Sequence, residues 1–356
     1  MKNKISKKNI EIIDLFCGTG GLTCGLKKAG LNVVAGIDNN KTCELAYRNN
    51  NKTKFILQDI RKITPKDINE IYSKNAFKIL VGCAPCQPFS LLRTKMRDKN
   101  VQDEKYNLLL EFGRLIKEVK PDIISMENVP QIKNTIIFEK FLKILNDCGY
   151  NEIVYKIVYC PNYGIPQKRK RLVLLSSLHG KINLIEPINV DKMPTVKKFI
   201  FNLPSIKAGE QSLLDSLHWS ANLTELNLKR IKISKPGGTW RDWPKNLRCQ
   251  CHKKNSGQSF TSPYSRMEWN KIGPTITTEF FSYGTGRFGH PEQNRAISLR
   301  EGALLQTFPS NYQFIFKENK NSFNDIARQI GNAVPPRLGK IIGMSIIKHL
   351  QDQNVI

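Results

Sequence analysis

The first half of the chain is built from short, mainly apolar runs, Ile10 to Phe16, Leu31 to Ile37, Ile79 to Gly82 and Asp122 to Met126, with stretches of helical spacing between them. Runs this short, apolar at successive positions rather than alternate ones, suit strands covered on both faces, as in a parallel sheet flanked by helices. The segment from Asn107 to Val119 has the apolar spacing of such a covering helix. From about residue 181 to about 292 the pattern dissolves into Pro, Gly, Trp and Asn-rich sequence, which predicts a separate irregular domain. Order returns from Gln329 to Leu350, where Pro335 and Pro336 open an apolar helix expected to pack back on the sheet.

With 356 residues, 40% of them hydrophobic, the chain has enough apolar material for one large domain with an insert or for two domains. No stretch approaches the ~20 apolar residues of a membrane span. The charged start, MKNKISKKNI, has no apolar signal segment, so a cytoplasmic location is expected. Nine cysteines without a regular framework suit a reducing compartment and free thiols. Cys83-x-x-Cys86 and Cys249-x-Cys251-His252 have metal-like spacing, but each lacks the second pair of a structural zinc site, and no metal is expected. The net charge of +26 points to a polyanionic partner, nucleic acid first. The bland alternative is a solvated basic surface in a chain rich in Lys and Asn throughout.

Strand Ile10 to Phe16 runs into DLFCGTGG, Asp14 to Gly21, a glycine turn that lets a ligand approach the backbone and a helix N-terminus. A dinucleotide fold wants Gly or Ala where Thr23 stands, which weakens that reading. Asp38, at the end of the second strand, is able to accept from ribose hydroxyls or to serve as an ordinary cap. The segment GCAPCQPFS, Gly82 to Ser90, holds Cys86 between two prolines at a strand-to-loop turn, where backbone donors lower a thiol pKa. Cys83 is expected in the delivering strand, its sulfur facing the core with a raised pKa. MENVP (Met126 to Pro130), QKRKR (Gln167 to Arg171), RAISLREGALLQTFP (Arg295 to Pro309) and QIGNAVPP (Gln329 to Pro336) follow. Singly each has a bland reading: Glu127 as a strand-end carboxylate, the basic run as a solvated face.

In this order the motifs resemble the DNA (cytosine-5-)-methyltransferase family of bacterial type, over nearly the whole chain from Asp14 to Pro336. The resemblance implies a Rossmann-like α/β sheet domain that uses S-adenosylmethionine, with a smaller irregular target recognition domain. The implied division is a catalytic and cofactor-binding domain over 1–180, target recognition over 181–292, and a return segment, 293–356, completing the catalytic domain. It places Phe16, Gly18 and Gly20 at the cofactor's methionine end, Asp38 at its ribose, Asp59 and Ile60 at its adenine, and Pro85, Leu108 and Asn332 around the same pocket. Cys86 becomes the nucleophile, Glu127 the partner of the cytosine ring, and Arg169 and Arg171 neighbours of the flipped nucleotide. The polar stretch Leu91 to Asn107, with Arg93, Lys95, Arg97 and Lys99, resembles the loop that closes over it, against an ordinary exposed loop.

Cytosine is not nucleophilic enough at carbon 5 to take a methyl group directly, so the implied chemistry is thiolate addition at carbon 6. The base must leave the stack to be reached. The expected partner is duplex DNA read by a monomer, either an orphan methylase or the modification half of a restriction pair whose endonuclease is another chain. The Trp240 and Arg241 region is a candidate for base contacts, against a core role for the Trp. The rivals are a transfer RNA cytosine-5 methyltransferase and a non-catalytic nucleic-acid-binding protein on an enzyme scaffold.

Overall fold

The computed structural model of the chain describes residues 9–85, 107–187, 193–318 and 321–356. Its backbone contacts separate two units: Met1–Tyr159 with Lys170–Ile188 and Val334–Ile356, and Cys160–Arg169 with Asn189–Ala333. The segment expected to read DNA, 181–292, falls in the second unit except for 181–188. The stretch 293–333, expected to return to the first, is grouped with the second because Arg295 and the helix Leu299–Leu305 are bonded into it.

In the first unit the apolar runs form strands β1 (Ile10–Leu15), β2 (Asn32–Asp38), β3 (Lys54–Leu57), β4 (Phe77–Gly82) and β5 (Ile123–Asn128), joined by β6 (Ile153–Tyr159) and β7 (Lys170–Ser177). They make one seven-stranded sheet in the order β3-β2-β1-β4-β5-β7-β6. The first five are parallel, as expected. The sheet as a whole is mixed, because β7 runs antiparallel to both β5 and β6. The connection from β6 to β7 is too short to hold a crossover helix, so the chain folds back on itself.

Helices cover the sheet. Leu108–Val119 buries Leu109, Phe112, Leu115, Ile116 and Val119 at helical spacing, and ends at Lys120 in a left-handed conformation ahead of Pro121. Phe112 packs on Phe141 of the helix Ile136–Asp147, their ring centroids 5.7 Å apart. Removing a fully buried ring of this kind costs about 3–5 kcal/mol. The helix Pro336–Asp352 begins on a proline, as expected, but packs chiefly against the helix Gly21–Lys28. The approach is close enough that a Cβ on Gly25 would lie 2.2 Å from the Pro336 carbonyl oxygen, which only glycine allows.

The second unit has little regular structure, so its carbonyl oxygens lack a sheet ladder to satisfy them. Buried arginines take that role. Arg266 donates to the carbonyls of Ile231, Ser234, His290 and Gln293. Arg295, fully buried, donates to Ile206 and Ala296 and pairs through both Nη atoms with Glu301 at 2.7 and 2.8 Å. Glu301 also closes a capping box with Ser298 at the start of the helix Leu299–Leu305. Ile231, Trp240, Trp243, Tyr283 and Ala296 form an apolar cluster nearby.

Candidate functional site

In an open α/β sheet, ligands bind beyond the carboxyl ends of the strands where the strand order reverses. Here that point lies between β1 and β4, since the chain steps from β1 to β2 on one side and later returns to β4 on the other. After β1 the backbone turns sharply: Phe16 has φ 57°, Gly18 φ 50° and Gly20 φ 90°. A left-handed phenylalanine is a strained conformation of the kind concentrated at ligand sites. The turn leaves open space, because a Cβ on Gly18 would meet nothing within 4 Å.

Asp38 anchors this turn. Its Oδ2 accepts from Gly18 N–H at 2.8 Å and its Oδ1 from Asn40 N–H at 2.8 Å, and burial raises its carboxyl above the usual range. Each oxygen keeps a lone pair for a ligand hydroxyl. Asp59, beyond β3, is held by Arg61 through Nε and Nη2, and that hydrogen bonding brings its carboxyl to about 2. Ile60 is buried in the core, and Leu108 packs partly buried against the same core.

Beneath the turn lies a buried polar chain absent from the sequence expectations. Asp14 Oδ2 accepts from the Thr23 hydroxyl at 2.6 Å, and that hydroxyl lies 3.0 Å from Tyr47 OH. Thr23 therefore occupies the expected Gly or Ala position in order to bond Asp14. Gly36 is required opposite, because a Cβ there would lie 2.3 Å from Tyr47 OH. Burial pushes the Asp14 carboxyl up to about 7, and its Oδ1 has no hydrogen-bond partner. The signal available in sequence was an acidic residue near the end of a mainly apolar strand.

Glu127 sits on β5 and is 2% exposed. Arg171, from β7, brings its Nε to 2.8 Å of Glu127 Oε1, close enough for an ion pair but not aligned as a hydrogen bond. On the other oxygen the Cys83 thiol donates to Oε2 at 2.8 Å. Cys83 thus departs from expectation. It lies just past β4, is partly exposed, and turns its sulfur to the carboxylate rather than the core. The strand ends at Gly82, and beyond it the backbone is held by Asn128 Nδ2, which bonds the Ala84 carbonyl at 3.1 Å. Pro85 follows, partly exposed. Cys86 and the stretch 91–106 lie outside the described residues.

The remaining expected residues belong to the second unit. Arg169 is 3% exposed, and its guanidinium bonds the Ile276 and Ala333 carbonyls. Asn332 is exposed at the end of the helix Phe323–Asn332. Three of the sequence motifs interlock here: the Gln167 amide donates to Gln306 Oε1 at 2.7 Å, and the Gln306 amide donates to the Ile330 carbonyl at 2.6 Å. Trp240 is buried in the apolar cluster, whereas Arg241 beside it is exposed.

Comparison with known proteins identifies the family. The family model described as C-5 cytosine-specific DNA methylase matches residues 10–348. The Type II methylase M.HgiDII of Herpetosiphon aurantiacus is 50% identical, the match covering 96% of each chain. The Type II methyltransferase M.PspPI of a Psychrobacter species is 30% identical over 96% of this chain and 80% of its own. Among solved structures, a DNA modification methyltransferase encoded in an Escherichia coli prophage superposes with a TM-score of 0.73 at 22% identity, covering 96% of this chain and 99% of that one.

Proposed function

Because this chain belongs to the C-5 cytosine-specific DNA methylase family and is a DNA (cytosine-5-)-methyltransferase, we propose that it methylates carbon 5 of a cytosine swung out of duplex DNA, through a covalent adduct with Cys86 and with S-adenosylmethionine as donor. The observation that carries this reading is Glu127, a buried carboxylate gripped by Arg171 and Cys83 at the end of β5, beside the strand that runs on to Cys86.

The open glycine turn and the unpartnered Asp14 oxygen fit a bound cofactor, with Phe16, Gly18 and Gly20 at its methionine portion and Asp38 at its ribose. S-adenosylmethionine supplies an electrophilic methyl group. Asp59, Ile60, Pro85, Leu108 and Asn332 are proposed around the rest of it. The Cys86 thiolate adds to carbon 6 of the ring, which makes carbon 5 nucleophilic. Glu127 faces ring nitrogen 3 and stabilises the charge that develops on addition. Loss of the carbon 5 proton then returns the electron pair to the ring and expels the thiolate. Arg171 keeps Glu127 oriented, and Arg169 braces the turn that leads into β7.

Base extrusion costs a few kcal/mol, which phosphate contacts from a chain of net charge +26 help offset. Residues 181–292 supply the base-edge contacts in this reading. The Type II names of the relatives support a role as the modification enzyme of a restriction system, with the endonuclease a separate chain. The work is done at the DNA in the cytoplasm.

Duplex DNA carrying 5-fluorocytosine tests the chemistry, since fluorine blocks the final proton loss. The wild-type enzyme with cofactor should form a denaturation-resistant adduct, Cys86→Ser none, and Cys83→Ser should still form one. An adduct that persists in Cys86→Ser refutes the nucleophile. A trap that forms on transfer RNA but not on duplex DNA refutes the substrate.

A further inference from the structure

The second unit contains a cluster that the methyl-transfer chemistry does not use. Cys249, Cys251 and His252 bring one sulfur or nitrogen atom each to within 4.8 Å of one another. Cys249 stands at the start of the short helix Gln250–Lys253, which carries the other two. His252 is 6% exposed, and its buried Nδ1 has no hydrogen-bond partner. A buried imidazole nitrogen left unbonded costs free energy, and this ring lies beside two thiols, which calls for an occupant.

We propose that Cys249, Cys251 and His252 bind one zinc ion, with the fourth position taken by solvent. The donor set decides the metal class: two thiols and an imidazole match zinc and are poorly suited to magnesium or calcium. With bonds of about 2.0–2.3 Å, a tetrahedral zinc holds its ligands roughly 3.5–4 Å apart, so the cluster closes with movements on the order of 1 Å. Binding deprotonates both thiols, and two thiolates cancel the charge of the ion. Burial, reinforced by Arg230 and Arg248, lowers the His252 pKa and keeps the ring neutral as a ligand. Cys251 is exposed, so water has access to the remaining position.

The role is structural. His252 stacks on Trp240 with ring centroids 4.2 Å apart and planes 13° from parallel, and Trp240 Nε1 bonds the Phe260 carbonyl. A metal at His252 therefore ties 249–252 to the aromatic cluster of a unit that has little regular structure. The spacing Cys249-x-Cys251-His252 is metal-like, but without the second pair of a usual zinc motif no metal is expected from it.

The test uses the reduced full-length protein, incubated with zinc and freed of excess by gel filtration. Elemental analysis should find about one zinc per chain in the wild type. Cys249→Ser/Cys251→Ser should retain almost none, and His252→Gln should release its zinc much faster to a chelator. If the double variant misfolds, cobalt in the wild-type chain decides. A thiolate-to-cobalt charge-transfer band, with quenching of Trp240 fluorescence, supports the site. A wild-type chain that retains no zinc, or a double variant that retains as much, overturns it, as does a Cys249–Cys251 disulfide found by mass spectrometry in freshly reduced protein.

Discussion

Replacing Glu301 by Gln isolates the electrostatic centre of the second unit. Glu301 and Arg295 are both fully buried and joined by two hydrogen bonds, and Ser298 N–H adds a third at 2.6 Å. Burial opposes ionisation, but the charge and hydrogen bonds of Arg295, with His290 and Ser298, outweigh it and bring the carboxyl from 4.5 to about 2. At 1.36 kcal/mol per pH unit this is worth about 3 kcal/mol. The figure matches the roughly 3–5 kcal/mol lost when one partner of a buried ion pair is removed. Glutamine keeps the shape but turns an N–H2 toward a guanidinium N–H. All four tryptophans, Trp219, Trp240, Trp243 and Trp269, lie in this unit, so their fluorescence reports its unfolding alone. The urea midpoint of Glu301→Gln at neutral pH should fall by roughly 1 M or more. The folded carboxyl titrates below its unfolded value, so its contribution is complete above pH 4.5 and is lost as pH falls toward about 2. The gap between the two proteins should therefore narrow by about 1 kcal/mol near pH 3.5. His290, held at about 4 chiefly by burial although the Glu301 charge raises it, adds a loss below pH 6.5 in both proteins that is larger in the variant and offsets part of this narrowing. Equal midpoints at neutral pH, or a gap that is constant with pH, would refute the assignment.

Gly20→Val forces a β-branched residue to φ 90° at the glycine turn and should abolish S-adenosylmethionine binding; calorimetry with unchanged affinity in a folded variant would show that the turn is not the cofactor site. Asp14→Asn should flatten the pH dependence of stability in cofactor-free protein. The folded Asp14 titrates near 7 against 3.8 unfolded, so its stability is complete below 3.8 and lost as pH rises to about 7, a few kcal/mol that the variant no longer shows in thermal melts. Cys83→Ser keeps a donor to Glu127 and should turn over at near wild-type rate, whereas Cys83→Ala should lower kcat several-fold and shift its pH profile, since one carboxylate oxygen loses its partner. Identical profiles for the two variants would mean that the thiol does not position Glu127.

The apolar runs located β1, β2, β4 and β5 to within a residue or two, because strands buried on both faces are apolar at every position. The antiparallel edge was not legible. β7 opens inside the basic QKRKR run, where Arg171 looks like a solvated charge until a buried carboxylate is placed opposite it. Asp38 and Glu127 were identifiable as strand-end carboxylates, and their motifs supplied the rest. The direction of the Cys83 sulfur depends on a bend after β4 that periodicity does not encode. The irregular unit was recognised only by its lack of pattern. Its order rests on buried arginines such as Arg266, which sequence statistics place on the surface.

The chain leaves the first unit twice, briefly over 160–169 and at length over 189–333, and the two excursions are joined by main-chain bonds as well as by the side chains of Gln167, Arg169 and Thr275. Gly273 N–H bonds the Pro166 carbonyl and Lys168 N–H bonds the Gly273 carbonyl, while a Cβ at 273 would lie 3.0 Å from that Pro166 oxygen. Main-chain bonds do not depend on the identity of the neighbouring side chains. An incoming segment from a relative fits the short excursion if it offers glycine at 273, an N–H and a carbonyl at 276 for Gln167 and Arg169, and an acceptor at 306 for the Gln167 amide. If 181–292 supplies the base contacts as proposed, the seam is a natural recombination boundary, across which a lineage can exchange that segment while inheriting the rest of the chain unchanged.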